Sequence, residues 1–420
     1  MKLDELCEIN MGQSPKSEYY NTDCDGLPFL QGNRTFGAKY PTFDTYTTLS
    51  TKIAEAGDVI MSVRAPVGDV NITPVNMCLG RGVCALRHKN GQQEFLYYLM
   101  RHYAHKLINQ ESGTVFGSVN RNDIANLEIN VPPIAEQIGI GRILGALDNK
   151  IENNAAINHN LEQMAQAIFK SWLVDFEPFI DSKFIESELG EIPVGWRVVP
   201  LSDITSLTSG YSYKSSELQP SNIAMVTIKN FERKGGFKSE GFKEIVVAGK
   251  IKPAQYAELF DILVAHTDLT QNADVVGNSE MLLTLGQYEK IIISLDLVKV
   301  KANIAVLSNF VLASILRSPL FKRHALGYVN GTTVLHLSKK AIPEYKVALP
   351  VDMSVLVELS NLLEAIYTKI VKNMHENDIL VAFRDILLPR LMSGELSITG
   401  LDSEMVNAIT TDLSPKASWH

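Results

Sequence analysis

Two short loops of the chain combine side chains that are suited to paired hydrogen bonding. Their sequences are GNRTFG at residues 32–37 and KNFERKGG at residues 229–236. Amide and guanidinium groups present several hydrogen-bonding atoms in a fixed geometry, and glycine permits a close approach of the backbone. Such loops favour recognition of a ligand over the making or breaking of covalent bonds.

The groups that catalyse reactions do not form a recognisable constellation. Asp58 and Asp261 each precede a short apolar run, and we interpret both as residues that start strands. No glycine-rich strand-loop-helix or Walker-type loop is present, since the GIG at residues 139–141 lies inside a helical pattern. Four cysteines lie in the first fifth of the chain without zinc-ligand spacing, which predicts reduced thiols. We expect no metal site and no catalytic residue.

The sequence contains an internal repeat. Three pairs of segments correspond: GQSPKS at 12–17 and GYSYKS at 210–215, PFLQGN at 28–33 and MVTIKN at 225–230, and GDVIM at 57–61 and FDILV at 260–264. Both halves then reach a Gly-Thr pair, at 113–114 and at 331–332, followed at equal distances by an Ile and a Pro. The spacing is shared while the intervening residues differ, so we predict one fold used twice with different contents.

Each half mixes strand and helix patterns. Residues 27–31, 58–63, 291–293 and 297–300 read as short strands, and residues 95–108 and 309–326 read as helices. The predicted class is therefore α+β, with two similar α/β domains. Lys and Arg exceed Asp and Glu over residues 190–350, whereas acidic residues dominate 134–189 and 351–420, so a patch facing phosphates is compatible with the net charge of −8.

A long helix is predicted after each half. Apolar residues recur at the alternating three- and four-residue spacing of a coiled-coil seam, and Asn154 and Asn158 interrupt the first seam as Asn373 and Asn377 interrupt the second. The residues expected to pair the helices are Leu144, Leu147, Ile151, Leu161, Ile168, Leu363, Ile366, Ile370 and Leu380. Because the first helix leads away from one domain and the second starts at the other, paired helices must be antiparallel, which implies approximate two-fold symmetry. A helix that packs only on its own domain is the alternative.

Several motifs resemble those of type I restriction-modification specificity subunits. They are IAEQ at 134–137 after a double proline, QAIFKSW at 166–172, GEIPVGW at 190–196 and LLPRLMSGEL at 387–396. The resemblance spans almost the whole chain and implies two target-recognition domains at 1–133 and 197–350. Long helices at 134–176 and 351–399, a connector at 177–196 and a polar tail at 400–420 complete this division. The second half departs from the first where HTDL at 266–269 replaces RAPVG at 64–68.

The resemblance also implies partners. They are double-stranded DNA, two methyltransferase subunits that methylate adenine at N6, and optional restriction-translocase subunits. The cofactor S-adenosylmethionine belongs to the methyltransferase, since this chain has no Asn-Pro-Pro-Tyr or Asp-Pro-Pro-Tyr element to hold a flipped adenine. We therefore expect a cytoplasmic, non-catalytic subunit with no cofactor and no membrane association.

If the domains read bases, arginine suits guanine, and asparagine or glutamine suits adenine. The candidate DNA-binding residues are Lys16, Gln31, Asn33, Arg34 and Arg64 in the first half, and Lys214, Lys229, Asn230 and Arg233 in the second. Two other readings stay open at this point. One is a scaffold whose two domains bind only proteins, which the acidic total favours, and the other is a recognition protein fused to catalysis.

Overall fold

The computed structural model describes residues 1–108, 117–233, 235–270, 272–303 and 307–398. It divides into two compact units. Unit 1 is Met1–Ile151 with the described residues from Ile379 onward, and unit 2 is Glu152–Asp378. The division falls within both long helices, so each unit contains part of each helix.

Unit 1 is built from two small sheets and helices. Its elements are α1 (Leu3–Leu6), β1 (Cys7–Met11), β2 (Tyr20–Asn21), β3 (Leu27–Leu30), β4 (Tyr46–Thr47), β5 (Ile53–Ala54), β6 (Val59–Ser62), β7 (Val70–Ile72), β8 (Met77–Leu79), β9 (Val83–His88), α2 (Gln93–Ile108), α3 (Arg121–Ala125) and the start of α4 (Ile134–Leu173). One sheet has the order β1-β9-β6-β7 and the other the order β2-β4-β3-β8-β5. Helix α2, which is buried from Phe95 to Met100 and exposed at His105 and Lys106, packs on the first sheet within one apolar core.

Unit 2 repeats this arrangement. Its elements are β10 (Phe184–Ser187), β11 (Gly190–Pro193), β12 (Trp196–Pro200), β13 (Thr205–Ser209), β14 (Ile223–Val226), β15 (Lys243–Glu244), β16 (Tyr256–Ala257), β17 (Ile262–Ala265), β18 (Thr267–Asp268), β19 (Ser279–Met281), β20 (Lys290–Ile293), β21 (Leu297–Ala302), α5 (Asn309–Leu316), α6 (Pro319–Leu326), β22 (Val329–Asn330), β23 (Leu335–Leu337), β24 (Lys346–Pro350) and α7 (Val357–Ser393). The sheet β13-β21-β17-β19 matches β1-β9-β6-β7 strand for strand. The parallel pair β14 and β20 matches the parallel pair β3 and β8. The predicted α+β fold used twice is thus confirmed.

The strand register corrects one part of the sequence repeat. Leu30 pairs with Leu79 in unit 1, and Val226 pairs with Ile293 in unit 2. Leu30 therefore corresponds to Val226, which makes Asn33 the counterpart of Lys229. The correspondence of Asn33 with Asn230 in the sequence repeat is wrong by one residue, because it rests on residue identity and not on backbone pairing.

Gly12 and Gly210 occupy the same close junction in the two units. A Cβ atom on Gly12 would lie 2.0 Å from the carbonyl oxygen of Gly80, and one on Gly210 would lie 2.0 Å from that of Ser294. No side chain fits there without a backbone shift, so glycine is required at both positions.

We expect Gly12→Ala and Gly210→Ala each to lower the free energy of unfolding by about 1–3 kcal/mol, the cost of overpacking. Urea denaturation would measure this loss. Gly32→Ala is the matched control, since nothing lies within 4 Å of a Cβ at Gly32. Equal stability of the Gly12 and Gly32 variants would contradict the close junction.

The two long helices pair in antiparallel fashion within each unit. In unit 2 the Nδ2 atom of Asn154 donates to Oδ1 of Asn377 at 2.9 Å, and Nδ2 of Asn373 donates to Oδ1 of Asn158 at 2.8 Å. Moving toward the C-terminus of α4 thus corresponds to moving toward the N-terminus of α7. The polar interruptions predicted for the two seams meet one another and fix the register.

The predicted helix-pairing residues differ in their burial. Leu144, Leu363, Ile366 and Ile370 are buried in the unit cores. Leu147, Leu161 and Ile168 are partly buried and pack against those cores, and Ile151 and Leu380 are half-buried. The seam residues therefore range from fully buried to half-buried.

Three further expectations differ from the structure. The helix predicted over 309–326 is broken, because Ser318 caps α6 by accepting from the backbone N–H of Phe321 and Pro319 begins that helix. The predicted connector at 177–196 contains the hairpin β10–β11, and its last residue, Trp196, pairs with Pro350. The first long helix ends at Leu173. The polar tail at 400–420 and the Gly-Thr pair at 113–114 lie outside the described residues.

Asp58 and Asp261 are turn residues that start strands, as predicted. Each accepts a hydrogen bond from the backbone N–H three residues earlier, and each pairs with a cation, Arg87 for Asp58 and Lys299 for Asp261.

In the part of the chain that the structure describes, no helix combines the length and apolar character needed to cross a membrane.

Candidate nucleic-acid interface

Unit 1 carries a surface cavity of about 410 Å³ beside the end of β3. Its lining includes Ser14, Gln31, Arg34 and Arg81. The hydroxyl of Ser14 donates to Oε1 of Gln31 at 3.0 Å and accepts from the backbone N–H of Arg81 at 3.1 Å. One serine therefore joins three chain segments, and an amide and two guanidinium groups line the same opening.

Arg81 was not identified from the sequence, although its neighbours give a signal. It lies between Gly80 and Gly82 in the turn from β8 to β9. A Cβ on Gly80 would lie 2.6 Å from the carbonyl oxygen of Leu30, and one on Gly82 would lie 2.3 Å from that of Gln31. The two glycines let the turn pack closely against the end of β3, while Arg81 itself is exposed.

Asn33 and Arg34 are both held by carboxylates at the surface. Nδ2 of Asn33 donates to Asp69 at 2.5 Å. The guanidinium of Arg34 lies 2.7 Å from Asp44, with side chains that are 74% and 51% exposed. Its hydrogen bond holds the pKa of Asp44 below the usual range. Asp44 thus orients the guanidinium of Arg34. Because exposed ion pairs contribute little net free energy, Arg34 can still exchange Asp44 for a ligand.

Lys16 and Lys214 occupy equivalent positions in the two units. Each is exposed and immediately precedes a short 3₁₀ turn, Ser17–Tyr19 or Ser215–Glu217. The Nζ atom of Lys16 lies 3.7 Å from Glu18. The equivalence supports the repeat, and contact of either lysine with DNA stays a prediction.

Arg64 marks a place where the two units carry different groups. It is exposed, and its backbone forms a β-bridge with Ser118. The equivalent pairing in unit 2 joins Thr267 to His336. A cavity of about 520 Å³ opens there, lined among others by His266, Asp296, His336 and Lys339. Burial lowers the pKa of His266, and the nearby His336 and Lys339 lower it further. Unit 1 thus presents a guanidinium where unit 2 presents imidazole and ammonium groups.

The second loop is closed by a buried asparagine. Oδ1 of Asn230 accepts from the backbone N–H of Thr227, and Nδ2 donates to the carbonyl oxygen of Lys238, both at 2.9 Å. Asn230 is fully buried. Its predicted role in contacting a base is therefore corrected: the amide holds the loop together and does not face a ligand.

The other predicted residues of this loop are accessible. Lys229 is exposed. The guanidinium of Arg233 is 73% exposed and lies 3.9 Å from Asp274. Arg233 also lines a cavity of about 620 Å³ in unit 2 together with Asn278, Arg317 and Lys322. The structure therefore leaves both residues available as candidates.

Comparison with known proteins places these features in context. The family described as the type I restriction modification DNA specificity domain matches residues 1–163. The MjaIX type I restriction enzyme specificity subunit of Methanocaldococcus jannaschii is 27% identical over 95% of this chain and 94% of its own length. The MjaX specificity subunit of the same organism is 36% identical, with the match covering 39% of this chain and 39% of that protein.

A solved structure shares the fold. The crystal structure of the type I restriction-modification system S subunit from M. genitalium superposes with a TM-score of 0.58 at 15% identity, covering 93% of this chain and 95% of that one. At this identity the likeness concerns the architecture alone.

Proposed function

We propose that this chain is a type I restriction-modification specificity subunit, like the relatives it resembles, and that it recognises a bipartite, asymmetric DNA target and directs partner subunits to methylate adenine within it. One observation carries this proposal. The two units share their strand order, yet equivalent surface positions hold different groups: the exposed Arg81 corresponds to the exposed Leu295, and the exposed Arg64 corresponds to Thr267, which pairs with His336. The same scaffold with different hydrogen-bonding groups is suited to reading two different half-sites.

The proposed partners are two methyltransferase subunits and, for cleavage of unmodified DNA, restriction-translocase subunits. S-adenosylmethionine would be bound by the methyltransferase. The antiparallel pairing of α4 and α7 supports this assignment, since the exposed faces of long helices can offer a continuous surface to other subunits. This chain would supply DNA recognition, and its partners would supply the chemistry.

We expect the purified chain alone to transfer no methyl group to DNA. Transfer should appear when a methyltransferase subunit and S-adenosylmethionine are added, because the reacting groups would then be present. Incorporation of labelled methyl groups into a library of randomised duplexes measures both activity and target. The methyltransferase without this chain is the control and should give no sequence preference. Methyl transfer by the isolated chain would contradict the proposal.

A further inference from the structure

We call the loops at residues 32–37 and 229–236 the recognition loops, because they carry candidate DNA-binding residues. In each unit, a glycine of the recognition loop is anchored to a buried polar side chain on an equivalent strand. In unit 1, Oδ1 of Asn71 accepts from the backbone N–H of Gly37 at 3.0 Å, and its Nδ2 donates back to the carbonyl oxygen of Gly37 at 2.9 Å. In unit 2, Oε1 of Glu280 accepts from the backbone N–H of Gly236 at 2.6 Å. Asn71 pairs with Ile60 and Glu280 with Leu263, which are equivalent strand positions. Asn71 and Glu280 therefore have the same role, since each binds the backbone of a glycine in the loop of its own unit.

A buried cation near each anchored glycine joins the loop to the long helices. In unit 1 this is Lys39, only 3% exposed, whose Nζ atom lies 3.2 Å from Glu94 of α2 and 3.5 Å from Oδ1 of Asn149 of α4. The backbone of α4 comes close here because residue 145 is glycine: a Cβ on Gly145 would lie 2.0 Å from Oε2 of Glu94. The loop and the helix are thus joined through one ammonium group.

In unit 2 the cation is Arg317, which lies at the break between α5 and α6. Its guanidinium lies 3.5 Å from Glu280 and 3.4 Å from Glu162 of α4. It also donates to the hydroxyl of Tyr367 of α7 at 3.4 Å. A continuous polar connection therefore runs from Gly236 through Glu280 and Arg317 to both long helices.

The cores of the two units are filled by apolar residues, so these polar connections are not needed for packing. Burying a charge also costs free energy unless the charge is paired. The common feature of the connections is that each fixes a recognition loop to the helices. We propose that Lys39 and Arg317 are positioning residues for target recognition, which hold the loop of their own unit at a set place relative to α4. This inference rests on the proposed function of the chain.

The test uses the complex of this chain with its methyltransferase and a library of randomised duplexes. Lys39→Met keeps the length of the side chain and removes its charge. We expect the base discrimination in one half-site to fall about tenfold, within the range of a lost bidentate contact, while the other half-site is unchanged. Arg317→Met combined with Glu280→Gln should affect only the other half-site.

Two further variants make the result decisive. Asn149→Ala removes only the α4 end of the connection at an exposed residue, so it should fold normally and loosen the same half-site as Lys39→Met. Arg87→Met removes an ion pair with Asp58 in unit 1, away from the loop, and should lower the melting temperature without altering base preference.

The outcomes separate this inference from the proposed function. Unchanged preference in the Lys39 and Asn149 variants would overturn the inference, as would an equal change in Arg87→Met or in both half-sites. A wild-type complex that shows no sequence preference would overturn the proposed function itself, and this inference with it.

Discussion

Arg384→Ala is expected to destabilise unit 1 by about 3–5 kcal/mol, the cost of leaving a buried charge without its partner. Nη1 of Arg384 donates to Oδ1 of Asp148 at 2.7 Å, and the hydroxyl of Tyr98 donates to the other oxygen at 2.5 Å. Asp148 is 4% exposed. The change would leave its carboxylate desolvated between α2, α4 and α7. A fall in melting temperature, measured by circular dichroism, would report the loss.

The chain offers a matched control on the same helix. Arg390 pairs with Glu395 at 3.0 Å, but both side chains are largely exposed, so Arg390→Ala should cost less than about 1 kcal/mol. The double variant Arg384→Met with Asp148→Asn removes both charges but keeps an amide oxygen that can accept from Tyr98, so it should recover part of the lost stability. Equal effects of Arg384→Ala and Arg390→Ala would contradict the buried network.

Arg34→Ala combined with Arg81→Ala is expected to remove most of the base preference in one half-site. The two guanidinium groups line the same cavity of unit 1, and each lost bidentate contact with guanine costs about 1–3 kcal/mol of discrimination. The combined loss is thus about 2–6 kcal/mol, or about thirtyfold to more than ten-thousandfold. Methylation mapping over randomised duplexes, with the methyltransferase present, would measure it for each half-site separately.

Two single variants separate base contacts from general charge. Lys16→Ala should weaken binding evenly across sequences and reduce its salt dependence, as expected for a phosphate contact. Arg121→Ala removes an exposed guanidinium of α3 in the same unit and should leave base preference intact. Loss of preference at both half-sites, or in the Arg121 variant, would argue against the cavity as the reading surface.

The sequence was most informative where a local pattern repeats. The heptad spacing and the polar interruptions predicted both long helices, and the predicted asparagines meet as Asn154 with Asn377 and Asn158 with Asn373. A seam residue is defined by its position along one helix, so its partner follows once the helices are known to be antiparallel.

The sequence was least informative where a side chain's role depends on distant contacts. Asn33 and Asn230 are identical residues in similar loops, yet one is only half-buried and the other fully buried. Nothing local distinguishes them, because burial is decided by the segment around Gly241 that covers Asn230. The link from Lys39 to Asn149 joins residues 110 positions apart and leaves no periodic signal. By contrast, the Ser-Pro pair at 318–319 is a local signal for the break between α5 and α6, and the prediction of one helix over 309–326 overlooked it.

The division of the chain into units has a consequence for the order of folding during synthesis. Unit 2 is one uninterrupted segment, whereas unit 1 needs residues from both sides of it. The core of unit 1 is completed by Leu387, Leu388, Leu391 and Met392. At about 5–20 residues per second, a ribosome needs roughly ten seconds to a minute to make the intervening segment. Most of unit 1 is therefore synthesised first, but its core is completed last. Its apolar surface stays uncovered until the final turns of α7 have been synthesised.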